Sequence, residues 1–539
     1  EELHAAWFDD ARVRALSLTL PPESLAALAV SPREWVEGAL TDEDAGVTLA
    51  RVGVRLKGQL GSARDLSQKA AFRVDLNRYE RAQRHAGLKE LTLNNMVQDP
   101  SAVREYATYL LFRELGLPAP RVTWVWLRLN GEDLGLYLSV EGYDDLALPR
   151  WFPSTAHLYE GAYGQDLSTW DVPALDVDEG DEEDRGDALG LAAFIESLPL
   201  EEVYARTARR VDWEQVAAFM AAEVWVGHWD GYAPTRNNYY LHFDDDGVLS
   251  LLPWGADQAL AYPWAPYAGD ALLFRACLLS AECEGRYWRA LARAGEVAAR
   301  LDLAGLLTAR AAALRPYVER EPRREFGIEA HDAVVAEAAA FVRGRADALA
   351  PELACVLGSA PDADGDGVRC GRDCLPGDPR AYPGARDLCG DGVDQDCDGY
   401  ADNAPDCPDC VPLTLAGRGW LVCTTPRAFA DAEAHCRAQG ARLAEPRTYD
   451  EAAALVSAAL ALRPQWWWWV GLSDQREEGA FEWLSGDPLD PALAALLWAP
   501  GEPNDAGGAE DCGHFFDAPL WNDIGCDAGL GVLCELQGP

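Results

Sequence analysis

Apolar and polar positions alternate through much of the first 140 residues. RVGVRLKG from Arg51, AAFRVDL from Ala70 and RVTWVWLRLNGEDLGLYLSVE from Arg121 read as strands, and NGED at Asn130 reads as a hairpin turn. The period then lengthens. PSAVREYATYLLFREL carries apolar residues at helical spacing and stops at Gly116 and Pro118. Residues 217–227 predict a helix running into GHWDGY, and LAGLLTARAAALRPYVE and AHDAVVAEAAAFVRGRADALA predict two more. Between them DVDEGDEEDRGD, from Asp176, reads as a solvated loop. Together these elements predict a mixed α/β body over residues 1–352.

The pattern breaks at about residue 353, where Asp, Gly, Cys and Pro replace the periodic segments. DADGDGVRCGRD puts Asp362, Asp364 and Asp366 at positions 1, 3 and 5 of a calcium loop, Gly367 at its turn and Asp373 at position 12. Six to eight hard oxygens are what calcium requires, and this spacing gathers carboxylates around one point. DQDCDG repeats the start with Asp394, Asp396 and Asp398, but Pro405 stands at position 12, so that loop needs another ligand. Cys355, Cys370, Cys374, Cys389, Cys397 and Cys407 favour a stapled calcium module over an acidic linker. The segment resembles the Asp/Cys-rich metal-binding repeats of secreted bacterial proteins, akin to thrombospondin type 3 repeats.

Composition narrows the functional classes. The chain has 539 residues, more than one core usually holds, and a formal net charge of -43. Such acidity argues against nucleic acid or an anionic membrane as partner and favours cations. No run of 18 apolar residues offers a membrane span. Fourteen cysteines, most in the last third, point to an oxidising compartment, hence a secreted or surface location. Cys277 and Cys283 are close enough for a local disulfide. The chain begins at Glu1 and not Met, which fits a removed signal peptide or a trimmed chain alike. Only three lysines occur, Lys57, Lys69 and Lys89, so where lysine is kept arginine does not substitute. Most of the nine asparagines fall inside the motifs that follow.

From residue 410 the order is a Cys410/Cys423 pair, the helical run FADAEAHCRAQGARL, the strand WWVGLSD, then GEPN, EDC, WND and a terminal CEL. This order resembles the C-type lectin domain over its whole length, with the long-form N-terminal cysteine pair. The resemblance implies disulfides Cys436 to Cys534, Cys512 to Cys526 and Cys410 to Cys423. It also implies a sugar-binding calcium held by Glu502, Asn504, Glu510, Asn522 and Asp523. The chemistry agrees: three carboxylates neutralise the ion, and two carboxamides donate N–H to sugar hydroxyls whose oxygens complete the shell. The Glu-Pro-Asn order goes in that family with mannose-, glucose- or fucose-like sugars, and Pro503 with a cis peptide. Asp474, Glu478, Asp505, Glu510 and Asp511 match an auxiliary calcium site. Of the tetrad Trp466 to Trp469, Trp469 fits the core strand; the other three are open between core packing and an exposed patch, partial packing being favoured.

In the first 352 residues VGVRLKG, the LKELTLNNMVQDPSAVREYATYLLFRELGLPAPR stretch, LNGEDLGLYLSVE and HLYEGAYGQDL are followed by GHWDGYAPTRNNYYLHFDDDG and LLPWGADQAL. This succession resembles the CotH family of atypical protein kinases, named for a spore-coat protein. The resemblance implies ATP with Mg2+ or Mn2+ as cofactor and Asp230 as the catalytic Asp. It further implies Asn238 and Asp257 as metal ligands. Lys69, with Glu105 as ion-pair partner, is the candidate phosphate-contacting lysine. Lys57 is the runner-up, and Glu141 is a candidate for the nucleotide pocket. One departure counts against turnover: the family commonly has an Asp where this chain has Gly255. No HExxH, GxSxG, Walker A or helix-opening GxGxxG sequence offers another chemistry.

The expectation is therefore a multidomain α+β protein. It has an atypical kinase-like α/β domain (1–352), a small disulfide-rich calcium-binding module (353–409) and a C-type lectin-like α+β domain (410–539). Two functions compete: a glycan-tethered protein kinase, and a calcium-dependent adhesion or coat protein whose kinase-like domain is an inactive scaffold. Its expected partners are mannose-type glycans and a protein substrate; no coiled coil suggests an oligomeric state.

Overall fold

The computed structural model describes residues 6–58, 61–358, 409–415, 418–462, 467–499, 502–505, 508, 510–517 and 519–536, with scattered residues between 362 and 397. Two compact units result, Glu1–Pro361 and Asp362–Pro539. Of the predicted positions, Trp466, Gly367, Cys370, Cys389, Asp398, Pro405 and Cys407 lie outside the described residues.

Seven strands of the first unit close into a barrel: β1 (Val13–Thr19), β2 (Val36–Asp42), β3 (Val47–Lys57), β4 (Ala71–Asp75), β5 (Glu90–Asn94), β6 (Val122–Leu129) and β7 (Glu132–Val140). Its order is β1-β2-β3-β4-β5-β7-β6, and a parallel β1/β6 pairing completes the ring. Closure removes the unpaired edges that an open sheet would expose. Strand β6 shows how the sequence specifies this. Val125 and Leu127 fill the barrel interior, while Trp124 and Trp126 join the cluster under the helices. Both faces are thus apolar, and each large side chain so buried is worth about 1.5–3 kcal/mol.

A second sheet of order β11-β10-β8-β9 contains β8 (His157–Glu160), β9 (Asp176–Glu179), β10 (Tyr239–Phe243) and β11 (Leu249–Pro253). Strand β9 corrects the expectation of a solvated loop from Asp176. Asp176, Val177 and Glu179 pair with β8, and Asp178 accepts a hydrogen bond from Tyr240 Oη at 3.1 Å. Partners on a neighbouring strand outweighed local charge.

The helix Trp213–Val226 forms the spine of this unit. Asp212 caps it by accepting from Gln215 N–H at 3.1 Å, and Gly227 ends it with φ +63. It is apolar around much of its circumference, as a helix enclosed by other elements should be. Arg345, from the helix Ile328–Leu357, donates to the carbonyls of Val224 and Trp225 at that end. This last helix runs past the expected boundary at 352 and carries Cys355, which is disulfide-bonded.

In the second unit the main sheet runs β12 (Cys410–Leu415), β13 (Arg418–Arg427), β19 (Leu530–Leu536), β15 (Trp468–Ser473), β17 (Cys512–Asp517) and β18 (Leu520–Ile524). Short strands β14 (Ala441–Leu443) and β16 (Glu482–Trp483) pair with β19 and β15. The sheet separates two apolar clusters: Trp468, Phe515 and Trp521 lie in one, Trp469, Cys512 and Val532 in the other. The helix Phe429–Ala438 follows the predicted helical run. Disulfides Cys410–Cys423, Cys436–Cys534 and Cys512–Cys526 form as the resemblance implied, Cys277–Cys283 forms as its proximity suggested, and Cys374–Cys397 supplies a pairing that the sequence left open.

Candidate functional site

In the first unit the titratable residues converge where the barrel meets the second sheet. Lys57 ends β3, and its ammonium donates to Asn94 Oδ1, at the end of β5, at 2.5 Å. Asn94 Nδ2 donates to Glu105 Oε2 at 3.0 Å, and Tyr109 Oη donates to Glu105 Oε1 at 3.0 Å. The helix Arg104–Glu114 that carries both residues starts where Asp99 accepts from Arg104 N–H at 2.9 Å. Lys57 also lies 5.7 Å from the ring of Trp254, which follows β11.

From the opposite side come Asp230, Asn238 and Asp257. The Asn238 amide donates to Asp230 Oδ2 at 2.8 Å and to Asp230 O at 2.9 Å, and Asn237 donates to Asp230 Oδ1 at 2.9 Å. Arg236 and Asn238 hold positive φ, the kind of backbone strain that collects at functional loops. Glu223 fixes this loop from below. Its carboxylate accepts from the N–H groups of Tyr232 at 2.9 Å and Ala233 at 3.1 Å. Burial pushes the Glu223 carboxyl up to about 8.

Electrostatics link the two sides. Asp257 titrates well above the usual carboxylate range, first because it is buried and then because Glu105 and Asp99 lie near; Lys57 opposes the shift. Burial lowers Lys57, while Glu105, Glu160 and Asp257 raise it. Glu160, at the end of β8, is pushed up to about 7 by burial and by Asp178. Asp257 makes no hydrogen bond among the described residues. A carboxylate so placed, near Glu105, Asp99 and Asp230, suits a hard divalent cation.

One expectation about this site changes, and Glu141 and Gly255 gain a structural setting. Lys69 does not pair with Glu105: it is 2 % exposed and forms a buried ion pair with Glu321. Residue 69 precedes β4, and its side chain lies over Tyr137 on the interior side of the barrel, so Lys57 is the lysine that shares a network with Glu105. Glu141 is taken up by Arg121 and Arg150, which hold it in a buried clamp below the usual carboxylate range. Gly255 has φ +49, and a Cβ there would meet Asn238 Oδ1 at 2.5 Å. An Asp at this position therefore needs a different placement of Asn238. Asn94, Glu160 and Glu223 were not singled out in sequence. Their signals were an asparagine in a chain with nine, an acid closing an apolar strand, and an acid inside an apolar helix.

In the second unit the acids of the two lectin motifs meet across the sheet end. Asp523 accepts from the N–H groups of Asn504 at 3.1 Å and Asp505 at 2.8 Å, and Asn504 Nδ2 donates to Glu502. The Glu502–Pro503 peptide is cis. Glu510 N–H donates to Asp505 Oδ1 at 3.2 Å, and Asn522 follows Trp521 on β18. Asp474 is buried, accepts from Gly479 N–H at 2.8 Å and leaves Oδ1 without a partner. Glu478 feels Asp505, Asp474, Asp511 and Asp523. Asp474 and Glu502 are both raised, by burial and then by neighbouring groups, in which Asp511 and Asp523 oppose the negative charge. These crowded carboxylates fit a calcium ion.

In the Asp/Cys-rich segment, carboxylate oxygens of Asp362, Asp364 and Asp366 lie within 4.8 Å of one another. Asp373 is raised by burial and by the same three acids. Asp364, Asp366 and Asp373 each keep one buried oxygen without a hydrogen bond. Asp394 and Asp396 flank Gln395.

In the first unit a barrel and a second sheet bring a lysine, several acids and an amide together, and the second unit gathers carboxylates and carboxamides. The family model described as CotH kinase protein matches residues 54–349, more than half the chain, and the chain belongs to that family. The lectin C-type domain matches residues 425–536, and a MopE-type metal-binding motif residues 373–403. Pulmonary surfactant-associated protein D of Bos taurus is 37% identical over 109 residues, 20% of this chain and 28% of that protein. The mannose-binding protein of Gallus gallus is 37% identical over 102 residues, 19% and 37% of the two chains. The chain spans less than half the length of these curated relatives. The carbohydrate-recognition domain of cow CD23 is a solved structure at 28% identity, covering 25% of this chain and 97% of that one, with a TM-score of 0.22. No described helix is long and apolar enough to cross a membrane.

Proposed function

We propose that this is a secreted or surface protein of bacterial type in which an ATP-dependent protein kinase domain is joined to a calcium-dependent lectin that takes mannose-, glucose- or fucose-like sugars. The observation that carries the kinase half is the convergence of Lys57, Glu105, Asp230, Asn238 and Asp257. Phosphoryl transfer needs cations around the phosphates and a carboxylate near the attacking hydroxyl. Lys57 neutralises phosphate charge, with Glu105 orienting it through Asn94. Asp230, held by two amides, faces the acceptor hydroxyl and receives its proton. Asp257 and Asn238 Oδ1 would hold Mg2+ or Mn2+, which neutralises charge on the transferred phosphoryl group when bound.

The lectin half rests on Glu502, Asn504, Glu510, Asn522 and Asp523 presenting acids and carboxamides together. Asp362, Asp364, Asp366 and Asp373 offer oxygen only, which favours calcium over copper; the neighbouring Cys374 and Cys397 are spent on a disulfide. The reading of an inactive scaffold is favoured by one observation, Gly255 in place of an acid.

Two binding measurements test the proposal. Nucleotide with Mg2+ or Mn2+ should raise the melting temperature of the native chain and not of Asp257→Ala. Immobilised mannose should retain the chain in calcium and release it in a chelator. Absence of both effects would remove both halves of the proposal.

A further inference from the structure

The second unit exposes an aromatic pair beside the amide that is proposed to bind sugar. Trp467 is 41% exposed and Phe516 is 46% exposed, their ring centroids 5.7 Å apart. Both rest on His514, which is fully buried: its ring is 5.1 Å from Trp467 and 6.3 Å from Phe516. The other side of His514 meets Asn522, with Nε2 3.3 Å from the Asn522 amide nitrogen.

Strand geometry explains why these residues share a face. His514 pairs with Asn522 across β17 and β18, and Trp468 pairs with Phe515 across β15 and β17. Side chains alternate along each strand, so Trp467, His514, Phe516 and Asn522 fall on one side of the sheet. Phe515, Trp468 and Trp521 take the opposite side and are buried in the core there. Among the described residues, neither Trp467 nor Phe516 belongs to the two apolar clusters of this unit.

We propose that Trp467 and Phe516 form a second saccharide subsite, which stacks on the apolar face of the sugar residue linked to the one held at Asn522. This rests on the calcium-dependent sugar reading given above. The occupant follows from continuity and charge. His514 touches both Asn522 and the aromatic pair, so the rings lie one side chain away from the amide of the proposed sugar site. A pyranose is neutral, with polar edges and C–H faces; it tolerates the surrounding carboxylates, which repel an anionic partner, and covers two rings without needing a large interface. Aromatic surface left in water gains by such a contact. The subsite would select chain length and linkage, while the calcium site selects the terminal sugar.

The full chain in calcium is titrated with methyl α-mannoside and with an α-linked mannose disaccharide. Native protein, Trp467→Ala, Phe516→Ala and the conservative Trp467→Phe are compared. Each alanine variant should lose about three- to tenfold in disaccharide affinity, the scale of one aromatic contact, with monosaccharide affinity unchanged. Trp467→Phe should recover most of the loss. Equal disaccharide binding by native and alanine variants would overturn the inference. So would a parallel loss of both ligands, which would make the pair a support for the sheet. If native protein binds no methyl α-mannoside in calcium, the sugar reading itself falls and takes the subsite with it, an outcome that the native monosaccharide titration alone identifies.

Discussion

At the scale of single residues, Lys57 and Lys69 give the proposed phosphate-contacting role and the stability of the fold separate tests. Lys69 pairs with Glu321 and both are 2 % exposed, so Lys69→Met leaves a buried carboxylate alone. That should cost about 3–5 kcal/mol, read as a lower denaturation midpoint. Lys57→Met should instead remove nucleotide-dependent stabilisation with a much smaller change in the unliganded midpoint. The reverse pattern would return the phosphate-contacting role to Lys69. Gly255 gives a second test. Installing Asp there, Gly255→Asp, crowds Asn238 and places a side chain at φ +49, so it should destabilise by about 1–2 kcal/mol and not improve nucleotide binding. A gain in binding would mean that Asn238 readily gives way. The lysine scarcity and the asparagine motifs were legible in the chain, and Lys57, Asn94, Asn237 and Asn238 carry the hydrogen bonds of the proposed site. The choice between two lysines was not, because Lys57 and Lys69 both flank strands and only barrel closure decides which one turns inward.

At the scale of elements, the helix Trp213–Val226 carries a group whose titration should be visible. Glu223 titrates at about 8 in the fold, above its ordinary value near 4.5, because it is buried. The folded state therefore holds a proton that the unfolded state releases between these values. Its stabilising contribution is complete below about pH 4.5 and is lost as pH rises through about 8. Glu223→Gln should flatten the fall in stability of the first unit over that window, measured by urea denaturation at several pH values; an unchanged slope would contradict the assignment. The helix itself was readable from its apolar run, its Asp212 cap and its Gly227 stop. Strand β9 was not, since DVDE has neither apolar alternation nor β-branched enrichment and becomes a strand only by pairing with β8. The lectin strands were readable because the cysteines and WND fix their register; the exposure of Trp467 was not, as four consecutive tryptophans carry no period.

At the scale of the molecule, the net charge is -43, and acid clusters such as Asp362, Asp364 and Asp366 are places where a cation would neutralise part of it. Calcium binding to the folded state alone should stabilise the second unit by about 2.7 kcal/mol when free calcium is a hundred times its Kd. A chelator should therefore lower its melting temperature. Acid should do the same: Asp474 and Glu502 are raised by burial and by neighbouring carboxylates, so protons compete with calcium above the ordinary carboxylate range. Sugar retention should fall on acidification and return on neutralisation. Retention that ignores pH would place the ion elsewhere.

The central claim, that the first unit transfers phosphate, is tested most directly by incubating the full chain with γ-labelled ATP, Mg2+ or Mn2+ and a mixture of secreted proteins, beside Asp257→Ala and Lys57→Met. Label should appear in protein with the native chain and be lost in both variants. Label absent with the native chain, or equal in all three, would contradict it.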